Sequence, residues 1–129
     1  MKANHKLILA VLLGAAIGVG GATAIHARQM NVAKGYVIAE VDVTNPETFK
    51  EYAEKVPGTI AQYNGRYVVR GGKTISIEGD APKRFVVIAF DSMEKAKAWE
   101  DSPEYTAIKP IRHNSAKSRV FIAEGVAPK

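Results

Sequence analysis

Four charged side chains in one short stretch carry the first chemical suggestion in this chain: Arg70, Glu78, Asp80 and Arg84. Two carboxylates and two guanidinium groups near strand ends could hold a polar ligand through charge-assisted hydrogen bonds, or position one carboxylate as a general base. The plain alternative is a salt-bridge cluster that closes the loops, with Asp80 capping the turn before Pro82. Trp99 and Tyr105 could wall an aromatic pocket between helix and sheet, the Tyr105 hydroxyl serving as proton donor. Core packing is the more ordinary fate of a lone Trp on a helix.

His113 is the one histidine well inside the region expected to fold. It could act as a general base or a heme ligand. No second ligand stands three or four residues away, and the positive neighbours Lys109, Arg112 and Lys117 would disfavour its protonation, so a solvent-facing histidine is the alternative. Glu78, Asp80 and Tyr105 are therefore the candidate catalytic residues, and Arg70, Arg84, Trp99 and His113 the candidate ligand contacts. The chain has no cysteine, which removes disulfides, thiolate nucleophiles and cysteine metal sites. No glycine-rich nucleotide loop and no G-x-S-x-G elbow is present, so no metal and no cofactor is expected, heme through His113 being the exception to test.

The elements that must hold these side chains can be read from periodicity. Tyr36 to Val43 alternates as a half-buried strand. Asn45 before Pro46, or Thr44 with Glu47, starts a helix whose stripe runs through Phe49, Tyr52, Ala53, Val56, Ile60 and Tyr63. Pro57-Gly58 should kink or divide that helix, and Asn64-Gly65 should end it in a left-handed turn. Arg66–Arg70 and Thr74–Glu78 read as a hairpin reversed at Gly71-Gly72, and Arg84–Phe90 as a central strand. Asp91 or Ser92 caps one further helix and Ser102 another, the second broken or bent at Pro110, and Arg119–Glu124 is the last strand. Helices on one face of a mainly antiparallel sheet make an α+β sandwich.

The 129 residues leave room for one domain. Lys2 and Lys6 precede an uncharged apolar run from Leu7 to Gly21, followed by Ala22-Thr23-Ala24, the pattern of a cleaved secretory signal peptide. The expected layout is a signal peptide over 1–24, a connector over 25–33, the folded domain over 34–124 and a tail over 125–129. A periplasmic or secreted location follows, with a membrane contact only through the leader if it is not cut. Removing Lys2 and Lys6 takes the 18 basic residues to 16 against 13 acidic, a bias of about +3 that is too weak to suggest nucleic acid.

In Tyr36-Val37-Ile38, Pro57, Arg70-Gly71-Gly72, Glu78-Gly79-Asp80, Arg84–Phe90 and above all Ala98-Trp99 followed by Ser102-Pro103-Glu104-Tyr105, the chain resembles the bacterial family known as domain of unknown function 1330 (DUF1330). It departs at Glu100, where members often carry an aromatic residue. The resemblance implies a ferredoxin-like fold of the dimeric α/β-barrel superfamily, with two subunits joined through their sheets. It implies no settled activity, because that superfamily includes monooxygenases, isomerases and heme-degrading proteins. The expectation is an exported homodimer that binds an unknown small molecule between helices and sheet, with cofactor-free catalysis as its enzymatic form. The alternatives are a structural or interaction module and a heme protein using His113.

Overall fold

The computed structural model describes residues 31–129, of which Ala33–Ala127 form the folded unit. The expected signal peptide and most of the connector lie outside the described residues. In chain order the elements are β1 (Gly35–Val43), α1 (Pro46–Gln62), β2 (Arg66–Arg70), β3 (Arg84–Phe90), α2 (Met93–Glu100), α3 (Pro103–Ser115) and β4 (Ala116–Glu124). All pairings are antiparallel, and the strands lie in the order β2-β3-β1-β4. β3 and β1 are therefore the inner strands, as the continuous apolar run of β3 requires.

Each helix starts where a side chain can satisfy its free backbone donors. Asn45, Ser92 and Ser102 accept from Thr48, Lys95 and Tyr105 respectively, and proline follows Asn45 and Ser102 at the first helical position. Asn64 takes φ 58° just past α1, the expected left-handed exit. Pro57 does not divide α1, which runs through it. Pro110 likewise lies inside α3.

Alternation along the strands gives the sheet two different faces. Val37 and Val41 of β1, Ile88 and Phe90 of β3, and Val120 and Ile122 of β4 meet the helices, with Val56, Ile60, Trp99 and Tyr105 closing the core. The opposite face carries Ile38 between Val87 and Phe121, and Tyr36 between Ala89 and Ala123.

One expected element is absent. Thr74–Glu78 forms no strand; residues 71–83 are an exposed loop, and β2 pairs directly with β3. The alternation Thr74-Ile75-Ser76-Ile77 puts both isoleucines on one side, but nothing among the described residues covers them, and they are 82% and 92% exposed. β4 also begins earlier than expected, at Ala116, so Lys117 belongs to a strand and shares no helix face with Lys109.

Candidate functional site

Between α1, α3 and the covered face of the sheet lies a small cavity, about 40 Å³ for the centres of water-sized molecules. Trp99 forms its floor, with the Tyr105 ring stacked on it at 4.0 Å between centroids and Phe90 tilted beneath at 5.5 Å. Both Trp99 and Tyr105 are 1% exposed. A buried indole N–H needs an acceptor. Thr59 on α1 meets that need at 3.0 Å, its own hydroxyl donating to the Val56 carbonyl at 2.8 Å. Ser102 fixes the other side by donating to the Trp99 carbonyl at 2.6 Å while accepting from the Tyr105 amide at 3.2 Å. The Ser-Pro-Glu-Tyr run after Trp99 is thus the joint that stacks one ring on the other.

A chain of polar groups leads from the core to the cavity. The Arg112 Nε donates to the Tyr105 hydroxyl at 3.4 Å, and the Tyr105 and Tyr52 hydroxyls share a hydrogen bond at 2.8 Å. If Tyr105 accepts from Arg112 and donates to Tyr52, the Tyr52 proton is left to point into the cavity. Burial, and then the neighbouring Tyr105 hydroxyl, hold the Tyr52 pKa far above the ordinary phenol value, against a smaller opposing pull from Arg112. Tyr52 therefore stays neutral and serves as a donor, never as a base. Tyr67 is also pushed up by burial, with Arg70 and Arg84 opposing.

Two more guanidinium groups stand over the strand side of the cavity. Arg84 on β3 lies against Gly71, whose φ of 64° and lack of a Cβ leave the space that the guanidinium fills. Its charge sits 5.5 Å above the Phe49 ring. Arg70 at the end of β2 lies 4.5 Å over the Tyr67 ring and donates to the Ala53 carbonyl at 3.3 Å. That carbonyl is free because Pro57, four residues on, has no N–H to give it. Pro57 thus leaves α1 intact and hands one of its acceptors to Arg70.

The residues singled out in the sequence separate into two groups. Arg70, Arg84, Trp99 and Tyr105 come together around the cavity. Glu78 and Asp80 are exposed in the 71–83 loop, and no ion pair among the described residues joins them to either arginine. Asp80 borders a broad, shallow depression with Lys83, Lys117 and Arg119, where Lys83 pairs with Asp42 at 3.3 Å and Arg119 with Glu40 at 2.7 Å. His113 is exposed on α3, outside the cavity lining, with its Nε2 3.4 Å from an Arg112 nitrogen. A cavity this small and a histidine outside it do not fit a heme. Among the described residues no group of three or more His, Cys, Asp or Glu could hold a metal, and no helix is long and apolar enough to cross a membrane.

Sequence reasoning missed Tyr67 as a site residue. It reads Tyr52 only as core or pocket wall, and Arg112 only as part of a cationic helix face, with Lys109 and Lys117, for an anion or for solvent. Arg112 instead turns inward and is 7% exposed. Lys109 pairs with Glu100 at 2.7 Å, so Glu100 here serves an ion pair.

A family model described as domain of unknown function (DUF1330) matches residues 34–126, and the chain belongs to that family. No curated protein matches the chain significantly. Among solved structures, it is similar to a protein of unknown function from Rhodopseudomonas palustris at 13% identity, over 81% of this chain and 94% of that one, with a TM-score of 0.60. It is also similar to SnoaB, a cofactor-independent oxygenase from Streptomyces nogalater, at 15% identity, over 76% of this chain and 96% of that one, with a TM-score of 0.52. At such identities the likeness shows the fold alone: ferredoxin-like, of the kind found in dimeric α/β-barrel proteins.

Proposed function

We propose that this DUF1330 member binds a small organic molecule in the cavity beneath its helices and works as an exported homodimer. One observation carries the pocket reading: the buried relay from Arg112 through Tyr105 to Tyr52 ends at a cavity, where a folded core would ordinarily close over its polar groups. The homodimer is supported by the uncovered apolar sheet face around Ile38 and Phe121, the latter 42% exposed. The second copy would lay its own such face there. Export is supported by the charged start, apolar run and Ala22-Thr23-Ala24 of the leader.

The site's own residues can bind a ring against Trp99, shield it from water and offer it the Tyr52 proton. A cofactor-free reaction at that relay is the enzymatic form of the proposal. SnoaB is described as a cofactor-independent oxygenase; that description is of SnoaB, on a shared fold.

The test is a thermal-shift screen of the full chain against small aromatic compounds. A hit should weaken when Tyr105→Phe breaks the relay, and a screen with no hit, or a hit indifferent to Tyr105→Phe, overturns the pocket reading. Light scattering should give a dimer for the purified protein and a monomer for Ile38→Lys. A folded wild-type chain that stays monomeric at high concentration removes the dimer. N-terminal sequencing of the protein recovered from the cell envelope decides the leader, with a start near Ile25 expected.

A further inference from the structure

We infer that the ligand of this cavity is an anion: a small planar ring compound carrying a carboxylate or an ionised phenol, its negative group held among Arg70, Arg84 and Arg112. The inference rests on the pocket reading above and adds the charge and shape of what fills it.

Three guanidinium groups line the cavity and no carboxylate does. Buried charges are ordinarily paired, because leaving water without a counter-charge is costly. Arg112 is 7% exposed, yet no ion pair among the described residues includes it. Among the described residues its side-chain polar contacts are two long ones, 3.4 Å to the Tyr105 hydroxyl and 3.4 Å to His113 Nε2, although a guanidinium carries five N–H donors. Glu100 exerts some electrostatic pull on it; the Glu100 Oε1 is engaged by Lys109 at 2.7 Å, and its buried Oε2 makes no hydrogen bond among the described residues, to Arg112 or to any other group. The Arg84 Nε is buried with no hydrogen-bond partner among the described residues. Arg70 is held over Tyr67 by the Ala53 carbonyl, which leaves the rest of its fork free.

Guanidinium donors that line one cavity and are only partly answered there are what a carboxylate or phenolate oxygen needs, and the planar fork of arginine suits it. The remaining wall is aromatic and aliphatic, with Phe49, Tyr67 and Trp99 presenting rings. A flat, weakly hydrated ring satisfies that wall; inorganic phosphate would fill the charge and leave the rings bare. Tyr52, kept neutral, adds one more donor toward the anion.

The experiment titrates the full chain with benzoate, salicylate, the neutral isostere benzamide and inorganic phosphate, by calorimetry and by the fluorescence of Trp99, the only tryptophan of the chain. Benzoate or salicylate should bind at least tenfold tighter than benzamide, and Arg84→Gln and Arg112→Gln should each erase most of that preference. Benzamide binding as tightly as benzoate overturns the charge assignment and leaves the pocket standing. A failure of every ring compound takes the pocket reading down with it. A preference that survives both substitutions overturns the assignment to these arginines, and phosphate that binds as tightly as benzoate and displaces it overturns the ring. A gain in benzoate affinity on Glu78→Gln or Asp80→Asn, showing that a second copy's loop occupies the arginines, also overturns it. Should Arg112→Gln fail to fold, the partly exposed Arg84 carries the test alone.

Discussion

The two faces of the sheet are built from the same alternating strands and come to opposite ends. On one, Val37, Ile88 and Phe90 disappear under helices, and the Trp99 indole, the Tyr105 amide and the Arg112 Nε are tied by Thr59, Ser102 and Tyr105 into defined hydrogen bonds. On the other, Ile38, Val87 and Phe121 lie side by side with no helix over them among the described residues. A face packed by its own chain can hold a shaped, polar-lined cavity, because most of its buried donors can be answered locally. A face awaiting an external cover carries simple apolar side chains, which tolerate water until the cover arrives.

The largest effect that tests this contrast is Trp99→Ala. It should cost about 3–5 kcal/mol, as emptying a buried aromatic site does, measured by urea unfolding. Ile38→Lys should cost the isolated fold less than about 1 kcal/mol in the same assay. Equal losses for the two would erase the distinction between the faces.

Next in size is the hydroxyl relay. Tyr105→Phe leaves the Arg112 Nε and the Tyr52 hydroxyl unanswered and should cost about 1–3 kcal/mol. The relay also predicts a pH dependence. Because Tyr52 is held neutral in the fold but ionises near its ordinary value of 10.0 when unfolded, its contribution is complete below pH 10 and declines as pH rises through and beyond that value. The decline should approach about 1.4 kcal/mol per pH unit, and Tyr52→Phe should flatten the alkaline limb of a thermal-stability profile. An unchanged limb would mean that Tyr52 is not buried as described.

Pro57→Ala restores the N–H that Ala53 lacks. Stability should rise by about 1 kcal/mol or more, since a proline in a helix interior costs up to about 3, offset in part by the freer unfolded chain. Benzoate affinity should fall at the same time, because the backbone competes with Arg70 for its anchor. The smallest effect belongs to the loop. Glu78→Gln and Asp80→Asn, both exposed, should each stay within about 0.5 kcal/mol and leave benzoate affinity unchanged.

Much of this was legible in the chain itself. Caps at Asn45, Ser92 and Ser102, the left-handed exit at Asn64 and the buried run of β3 are local signals, and each appears where it was expected. Trp99 and Tyr105 could be read as core or pocket wall from their residue types; that the two rings stack on each other could not. Pro57 showed where it was less legible: the missing N–H could be read from the residue, but not which distant side chain would take the freed carbonyl.

The strand expected at Thr74–Glu78 teaches the same limit from the other side. Alternation describes a strand only where a surface exists to receive one of its faces, and that surface is not written in the segment. β2 offers a second case. Its register shifts between Tyr67 and Val69, with Val68 as the extra residue of a bulge, so that Tyr67 and Arg70, three apart, share the covered face. Strict alternation would have put them on opposite sides.

What the sequence determined alone, then, was set by neighbours a few residues away: where helices begin, where the first one exits, and which strand is apolar on both sides. Tertiary structure alone decided that Arg112 turns inward, that Tyr52 and Tyr105 meet across fifty-three positions, and that Glu78 and Asp80 stay outside the cavity. Those outcomes depend on burial and on long-range hydrogen bonding. The energy of each is shared between residues far apart in the chain, so no single stretch of sequence contains it.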